Sequence, residues 1–366
     1  MSTKTLISNL LSVTLGLGFG FAPAAQAKPP AIGDTSVFVT LPPFPGFPEQ
    51  PITSGDKLYV TTDAHFGTVG QGPPEVQVFR REDGALLQRV PLQNIDISQE
   101  HGMSAGAFDI FNRLYVLNVQ LGVVRIDFAT GAQKIYAPPL PFLPMCAAVP
   151  PGTPCAPKLA PLPPLPNDIA FDWDGTAYIT DSFQATIFRV PAGGGAPQIW
   201  FQDPRLAGPV GGFGTNGLRI SPDGRSVYVN VTSEAATGDG VVYTLKKVAH
   251  PIASDLKEFH RFLNNTGNPD DMAFGLSGRL YLSLAYQNQV AVLDRQGNEV
   301  TRFPTSPQAA AMSVPFDTPS GIDFDDETGS IYVTNHAEFT QDPAHMVVFK
   351  SYVADFGWPL IRPFLF

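Results

Sequence analysis

The sequence predicts an all-β fold, a six-bladed β-propeller with four antiparallel strands in each blade. Three observations predict it. Helix signals are almost absent, one two-strand phrase recurs six times, and its copies stand about 50 residues apart.

The chain carries 34 glycines and 37 prolines. Between them lie short runs of alternating β-branched and aromatic residues, the pattern of brief strands joined by tight turns. The phrase is clearest as NDIAFDWDGTAYITD at 167–181, NGLRISPDGRSVYVN at 216–230, DDMAFGLSGRLYLS at 270–283 and SGIDFDDETGSIYVTN at 320–335. Weaker copies stand at 104–118 and 49–62. Each copy is a strand, a turn rich in Gly, Asn or Asp, and a second strand with a tyrosine near its start. Those turn residues tolerate the positive φ of a hairpin.

Tyr59, Tyr115, Tyr178, Tyr228, Tyr281 and Tyr332 mark the register, at intervals of 56, 63, 50, 53 and 51 residues. The long interval holds a Pro-rich insertion over 138–166. Fifty residues is too much chain for two strands and right for four. Segments such as Thr186–Val190 and Ala196–Trp200 supply the outer pair. Val37–Val39 and Met346–Phe349 are placed to share a blade and close the ring.

The N-terminus reads as a secretory signal peptide over 1–27. Lys4 precedes an apolar run, Leu6 to Phe21, and Ala25-Gln26-Ala27 has the small-x-small form of a cleavage site. A membrane anchor is the alternative, but Gly16, Gly18 and Gly20 interrupt the run. Residues 28–366 are then one exported propeller domain, secreted or periplasmic, with no membrane span. Cys146 and Cys155 are the only cysteines, and in an oxidising compartment they form a local disulfide within the Pro-rich insertion. With 23 basic and 33 acidic residues, the chain is a poor partner for nucleic acid.

In a propeller the innermost strands line a central channel, so equivalent positions of the repeat converge at its mouth. The phrases open on Glu49, Ser104, Asn167, Asn216, Asp270 and Ser320, all polar and none basic. Glu49, Asn216 and Asp270 would give a hard divalent cation three protein oxygens. The same residue types also cap strand ends, so this reading stands beside a purely structural one. Soft ligands are missing from the set, which argues against a thiolate site. Gly193-Gly194-Gly195 lacks the Lys of a phosphate loop, and no Gly-x-Ser-x-Gly elbow occurs.

Pro166-Asn167-Asp168, Thr215-Asn216-Gly217-Leu218 and Pro269-Asp270-Asp271-Met272 open three successive blades, and Glu49-Gln50-Pro51 precedes an earlier strand. Together they resemble the senescence-marker-protein, gluconolactonase and luciferin-regenerating-enzyme family, the regucalcin-like propellers. The resemblance implies one divalent cation on Glu49, Asn216 and Asp270. Calcium is the first choice, with zinc, magnesium and manganese open. It implies substrate contact by Asn167 and a general-base role for Asp270. Two positions depart from the family. Leu165 stands where sugar lactonases carry an arginine, and Asp271 stands where a glycine is usual. Without that arginine's fork of donors, an apolar lactone or ester fits better than a sugar lactone.

His65 and His336 follow second strands and are placed to face a substrate. His101, before a first strand, is a weaker candidate. The function read from the sequence is metal-dependent hydrolysis of a small lactone or ester. The alternative is a non-catalytic propeller that binds a small ligand or a protein. Oligomeric state has no signature in the sequence.

Overall fold

The computed structural model describes residues 29–366, so the leader expected over 1–27 lies outside the described residues. Six four-stranded antiparallel sheets follow one another along the chain. Blade 1 comprises Pro51–Ser54, Lys57–Thr61, Glu75–Arg80 and Leu86–Pro91. Blade 2 comprises Met103–Phe108, Arg113–Asn118, Gly122–Asp127 and Ala132–Ala137. Blade 3 comprises Pro166–Phe171, Ala177–Asp181, Thr186–Val190 and Gln198–Gln202. Blade 4 comprises Thr215–Ile220, Ser226–Val231, Gly240–Lys246 and Leu256–Phe262. Blade 5 comprises Pro269–Phe274, Leu280–Leu284, Gln289–Leu293 and Glu299–Phe303.

Blade 6 is built from both ends of the chain. Pro319–Asp325, Ser330–Asn335 and Val347–Tyr352 are completed by Thr35–Thr40, with Val37 opposite Phe349. The ring is therefore closed by backbone hydrogen bonds between sequence-distant strands.

The recurring tyrosine has a packing role that explains the repeat. Tyr59, Tyr115, Tyr281 and Tyr332 are almost wholly buried. Four of the six tyrosines meet the phenylalanine near the end of the next blade's inner strand. Tyr59 meets Phe108, Tyr115 meets Phe171, Tyr228 meets Phe274 and Tyr281 meets Phe324, with ring centroids 4.9–5.2 Å apart and edge-to-face. One residue type in each half of the phrase thus joins neighbouring blades.

The Pro-rich insertion packs between blades 2 and 3 through Leu140, Leu143 and Ala156. Cys146 and Cys155 are disulfide-bonded within it. The C-terminal tail, unanticipated from the sequence, crosses the far end of the channel. The Pro363 carbonyl accepts from Ile110 N at 3.1 Å, Trp358 N donates to Phe274 O at 2.7 Å, and Leu365 is buried. The channel mouth at the other end lies where the inner strands begin.

Candidate functional site

A β-bulge sets the direction of the mouth residues. In blade 3, Pro166 pairs with Asp181 but Ile169 pairs with Ile179, so Asn167 and Asp168 together face one residue of the second strand. Blades 2, 4, 5 and 6 have the same shift. The extra residue leaves an N–H without a ladder partner, and a second-strand hydroxyl takes it in most blades. Asp168 N donates to Thr180 Oγ1, Asp271 N to Ser283 Oγ and Gly321 N to Thr334 Oγ1, all within 3.0 Å. Blade 1 repeats the arrangement: Glu49 N donates to Thr61 O at 2.9 Å, Thr61 N to Gln50 O at 3.1 Å, and Gln50 N to Thr61 Oγ1 at 3.0 Å.

Each bulge presents two residues at two depths. The first residues converge on a cavity of about 350 Å³ at the mouth, lined by Glu49, Ser104, Asn167, Asn216 and Asp270. His65 and His336 line the same cavity. The six residues singled out from the sequence for metal or substrate therefore share one space. Ser320 does not; its hydroxyl donates to the backbone carbonyl of Glu49 at 3.0 Å.

The second residues form a waist one step deeper, with large and small side chains alternating around the ring. Gln50, Asp168 and Asp271 come from blades 1, 3 and 5; Ala105, Gly217 and Gly321 come from blades 2, 4 and 6. Each large residue satisfies a backbone N–H of the following blade. Gly106 N donates to Gln50 at 2.7 Å, Leu218 N to Asp168 at 2.6 Å and Ile322 N to Asp271 at 3.1 Å. The glycines answer a close approach. A Cβ on Gly217 would lie 2.5 Å from the Asp270 carbonyl, and one on Gly321 would lie 2.3 Å from that of Glu49. Buried Arg219 pairs with both Asp168 and Asp271, the latter at 2.9 Å. Its flanking carboxylates hold the guanidinium in its charged form, even though burial opposes it.

The mouth has no such compensation, since neither Lys nor Arg lines the cavity. Burial, then Asp270 and Asp271, push the Glu49 carboxyl well above the usual range. Burial, then Asp271, push Asp270 up to about 7. Glu100 and Glu338, which the repeat did not reveal, also line the cavity, and burial raises Glu338. His336 lies between two of them, Nδ1 3.3 Å from Glu49 and Nε2 3.4 Å from Glu338. Burial pulls His65 and His336 down to about 4, so both are neutral at pH 7 and supply no counter-charge. His101 is fully buried, its ring nitrogens 2.8 Å from Gln99 O and 3.1 Å from Gly72 O, and it does not line the cavity.

The donor set fits a hard cation. Thr232 donates its hydroxyl proton to Pro269 O at 3.0 Å, so it can only accept from Asn216, whose Nδ2 lies 2.8 Å away. That fixes the amide and leaves Asn216 Oδ1 buried without a hydrogen-bond partner. An orphaned carbonyl oxygen with two carboxylates and no nearby cationic side chain is what an oxygen-seeking ion requires. Among the described residues no three His, Cys, Asp or Glu side chains form a metal cluster by themselves. The third ligand here would be an amide.

The sequence also missed the rim. Phe66, Phe183, Phe213, Tyr286 and Phe339 line the cavity from loops of unequal length that share no repeat position. The insertion adds Pro163, Pro164 and Leu165.

Comparison with known proteins agrees with this architecture. The sequence profile of the SMP-30/Gluconolactonase/LRE-like region matches residues 163–320, which include Asn167, Asn216 and Asp270. The resemblance read from the blade openings is borne out. No curated protein matches the chain by sequence. Regucalcin, a calcium-binding protein from Agrobacterium tumefaciens, has TM-score 0.60 at 16% identity, covering 89% of this chain and 96% of its own. A gluconolactonase from Xanthomonas campestris has TM-score 0.54 at 19% identity, covering 83% and 85%. A catalytically inactive variant of virginiamycin B lyase from Staphylococcus aureus, solved with quinupristin, has TM-score 0.51 at 14% identity, covering 86% and 98%. At these identities the likeness is one of fold.

Proposed function

We propose that this propeller hydrolyses a small lactone or ester with the help of one divalent cation. The observation that carries the reading is the mouth itself. Glu49 and Asp270 face one cavity with the orphaned Asn216 carbonyl and, among the described residues, no Lys or Arg. The solved gluconolactonase supports the reaction class, and the solved regucalcin supports calcium as the first choice over zinc, magnesium or manganese.

Glu49, Asn216 and Asp270 would hold the ion, which when bound would polarise the acyl oxygen of the substrate. Asn167 holds the substrate over the channel, with His65 and His336 at its sides. Asp270 takes a proton from water as the water oxygen bonds to the acyl carbon. The bond from that carbon to the alkoxy oxygen then breaks, and the departing oxygen takes the proton back from Asp270. The product is a hydroxy acid, or an acid and an alcohol. Leu165 lines the cavity where an arginine fork would hold a polyhydroxylated acid, so an apolar substrate is favoured.

The test is Asp270→Ala in the full chain against a panel of lactones and esters. Turnover should fall by at least about a hundredfold with the fold intact; undiminished turnover contradicts the role of Asp270.

Two neutral histidines in the same cavity favour one second reading, elimination with a histidine as base, and one fold neighbour is a lyase. The products separate the two, since hydrolysis incorporates oxygen from labelled water and elimination does not. Export to the periplasm or medium is proposed from the leader and accords with the disulfide. Among the described residues no helix is long and apolar enough to cross a membrane.

A further inference from the structure

We propose that the substrate is an uncharged lactone or ester bearing a ring-sized apolar group, seated on a wall formed by Phe66, Phe183 and Phe213. The inference rests on the hydrolase reading and adds the substrate class.

The wall draws on three blades. Phe66 stands in the long loop after the second strand of blade 1, Phe183 in the turn after the second strand of blade 3, and Phe213 in the loop entering blade 4. Their ring centroids are 6.0 Å apart for Phe66 and Phe183, 6.3 Å for Phe66 and Phe213, and 5.8 Å for Phe183 and Phe213. The blade 1 loop must pass over blade 2 to make these contacts. It is held there by Glu100, whose carboxylate accepts from Gly67 N at 3.2 Å, Thr68 N at 3.1 Å and Thr68 Oγ1 at 2.8 Å.

Packing alone does not account for this arrangement. Phe66 is 52% exposed, although the loop that carries it is tied down. A second aromatic pair, Tyr286 and Phe339, lines the same cavity with centroids 5.5 Å apart, and these residues are 43% and 67% exposed. Large exposed aromatics gathered on one concave surface mark a place where an apolar group is taken out of water.

Charge sets the second half of the proposal. The cavity lining carries the carboxylates of Glu49, Glu100, Asp270 and Glu338 and no Lys or Arg. An anionic substrate would meet four carboxylates, whose repulsion one divalent cation on Glu49 and Asp270 would offset only in part. A sugar lactone would lose water from its hydroxyls against phenyl faces that offer no hydrogen bonds in return. A neutral aryl-substituted lactone meets neither cost.

The experiment compares kcat/KM for γ-phenyl-γ-butyrolactone, γ-butyrolactone and glucono-δ-lactone, using the full chain and a Phe66→Ala/Phe213→Ala variant that keeps its melting temperature. Calorimetric binding of the phenyl-substituted γ-lactam, an amide analogue that resists hydrolysis, is measured beside the unsubstituted lactam. The expected result is a preference for the phenyl lactone of at least about tenfold over both others, lost in the variant. Equal or better turnover of the sugar lactone overturns the substrate class while the hydrolase reading survives. If no lactone is hydrolysed but the phenyl lactam binds in preference and the variant abolishes it, the aromatic seat stands and the hydrolase reading fails. Neither hydrolysis nor lactam binding overturns the seat.

Discussion

Asp270 and Asp271 are consecutive residues of one bulge, and burial pushes both up to about 7, yet the fold gives them different partners. Asp271 turns to the waist, where Arg219 lies 2.9 Å away and the Ile322 N–H donates to it. Asp270 lines the mouth, where among the described residues no Lys or Arg reaches it. The waist holds its own cation, one arginine shared by two acids. The mouth is left to a proton or to an ion from outside. One backbone device thus builds a structural charge layer and a binding layer one residue apart.

The largest effect should come from removing the compensation at the waist. Arg219→Met leaves Asp168 and Asp271 buried without their partner and should cost about 3–5 kcal/mol of stability, read by denaturant unfolding. A loss as small as that of a surface substitution would mean that the waist does not depend on Arg219.

A smaller effect, outside both layers, should follow from opening the disulfide. Cys146→Ser with Cys155→Ser releases a short loop, and chain entropy puts the loss at about 2.6 kcal/mol. Any cation-dependent stabilisation should survive unchanged, because the insertion contributes no proposed ligand. Loss of that response would tie the loop to the mouth more closely than its contacts indicate.

A pH-dependent effect concerns Asp63, a fully buried acid whose two carboxylate oxygens lack a hydrogen-bond partner. Burial, then Glu100, push it up to about 8, from an ordinary value of 3.8. A raised acid binds its proton more tightly in the folded chain than in the unfolded one. Its contribution to stability is therefore lost as pH rises from about 4 to about 8. Asp63→Asn should therefore raise the melting temperature by several degrees at pH 8.5 and by clearly less at pH 5, where little of that window has been crossed. An equal shift at both pH values would show that the carboxyl is not titrating in that window.

The blades were legible in the sequence because four of the six tyrosines perform the same packing task, so the period survives between otherwise different strands. Tyr59 and Tyr281 meet Phe108 and Phe324 in the same way, far apart in the chain. The mouth was legible for a related reason. Glu49, Asn167, Asn216 and Asp270 occupy equivalent places in the repeat, and a ring makes equivalent places converge. Asp271 stood out only as a missing glycine, since its partner Arg219 comes from another blade and no spacing links them. Glu338, Phe66 and Phe213 lie on loops whose lengths follow no period. His101 misled because proximity to a strand start says nothing about which way a ring turns; here two backbone carbonyls hold it inside.

The most direct test of the central claim is the melting temperature of the full chain after chelation, with calcium, zinc, magnesium and manganese restored singly. The wild type and a Glu49→Gln/Asp270→Asn variant are compared. A cation bound at the mouth predicts a saturable rise in the wild type, worth about 2.7 kcal/mol at a hundredfold excess over Kd, and no rise in the variant. No rise with any of the four ions, or an equal rise in the variant, would contradict the account and favour a propeller that binds its ligand without chemistry.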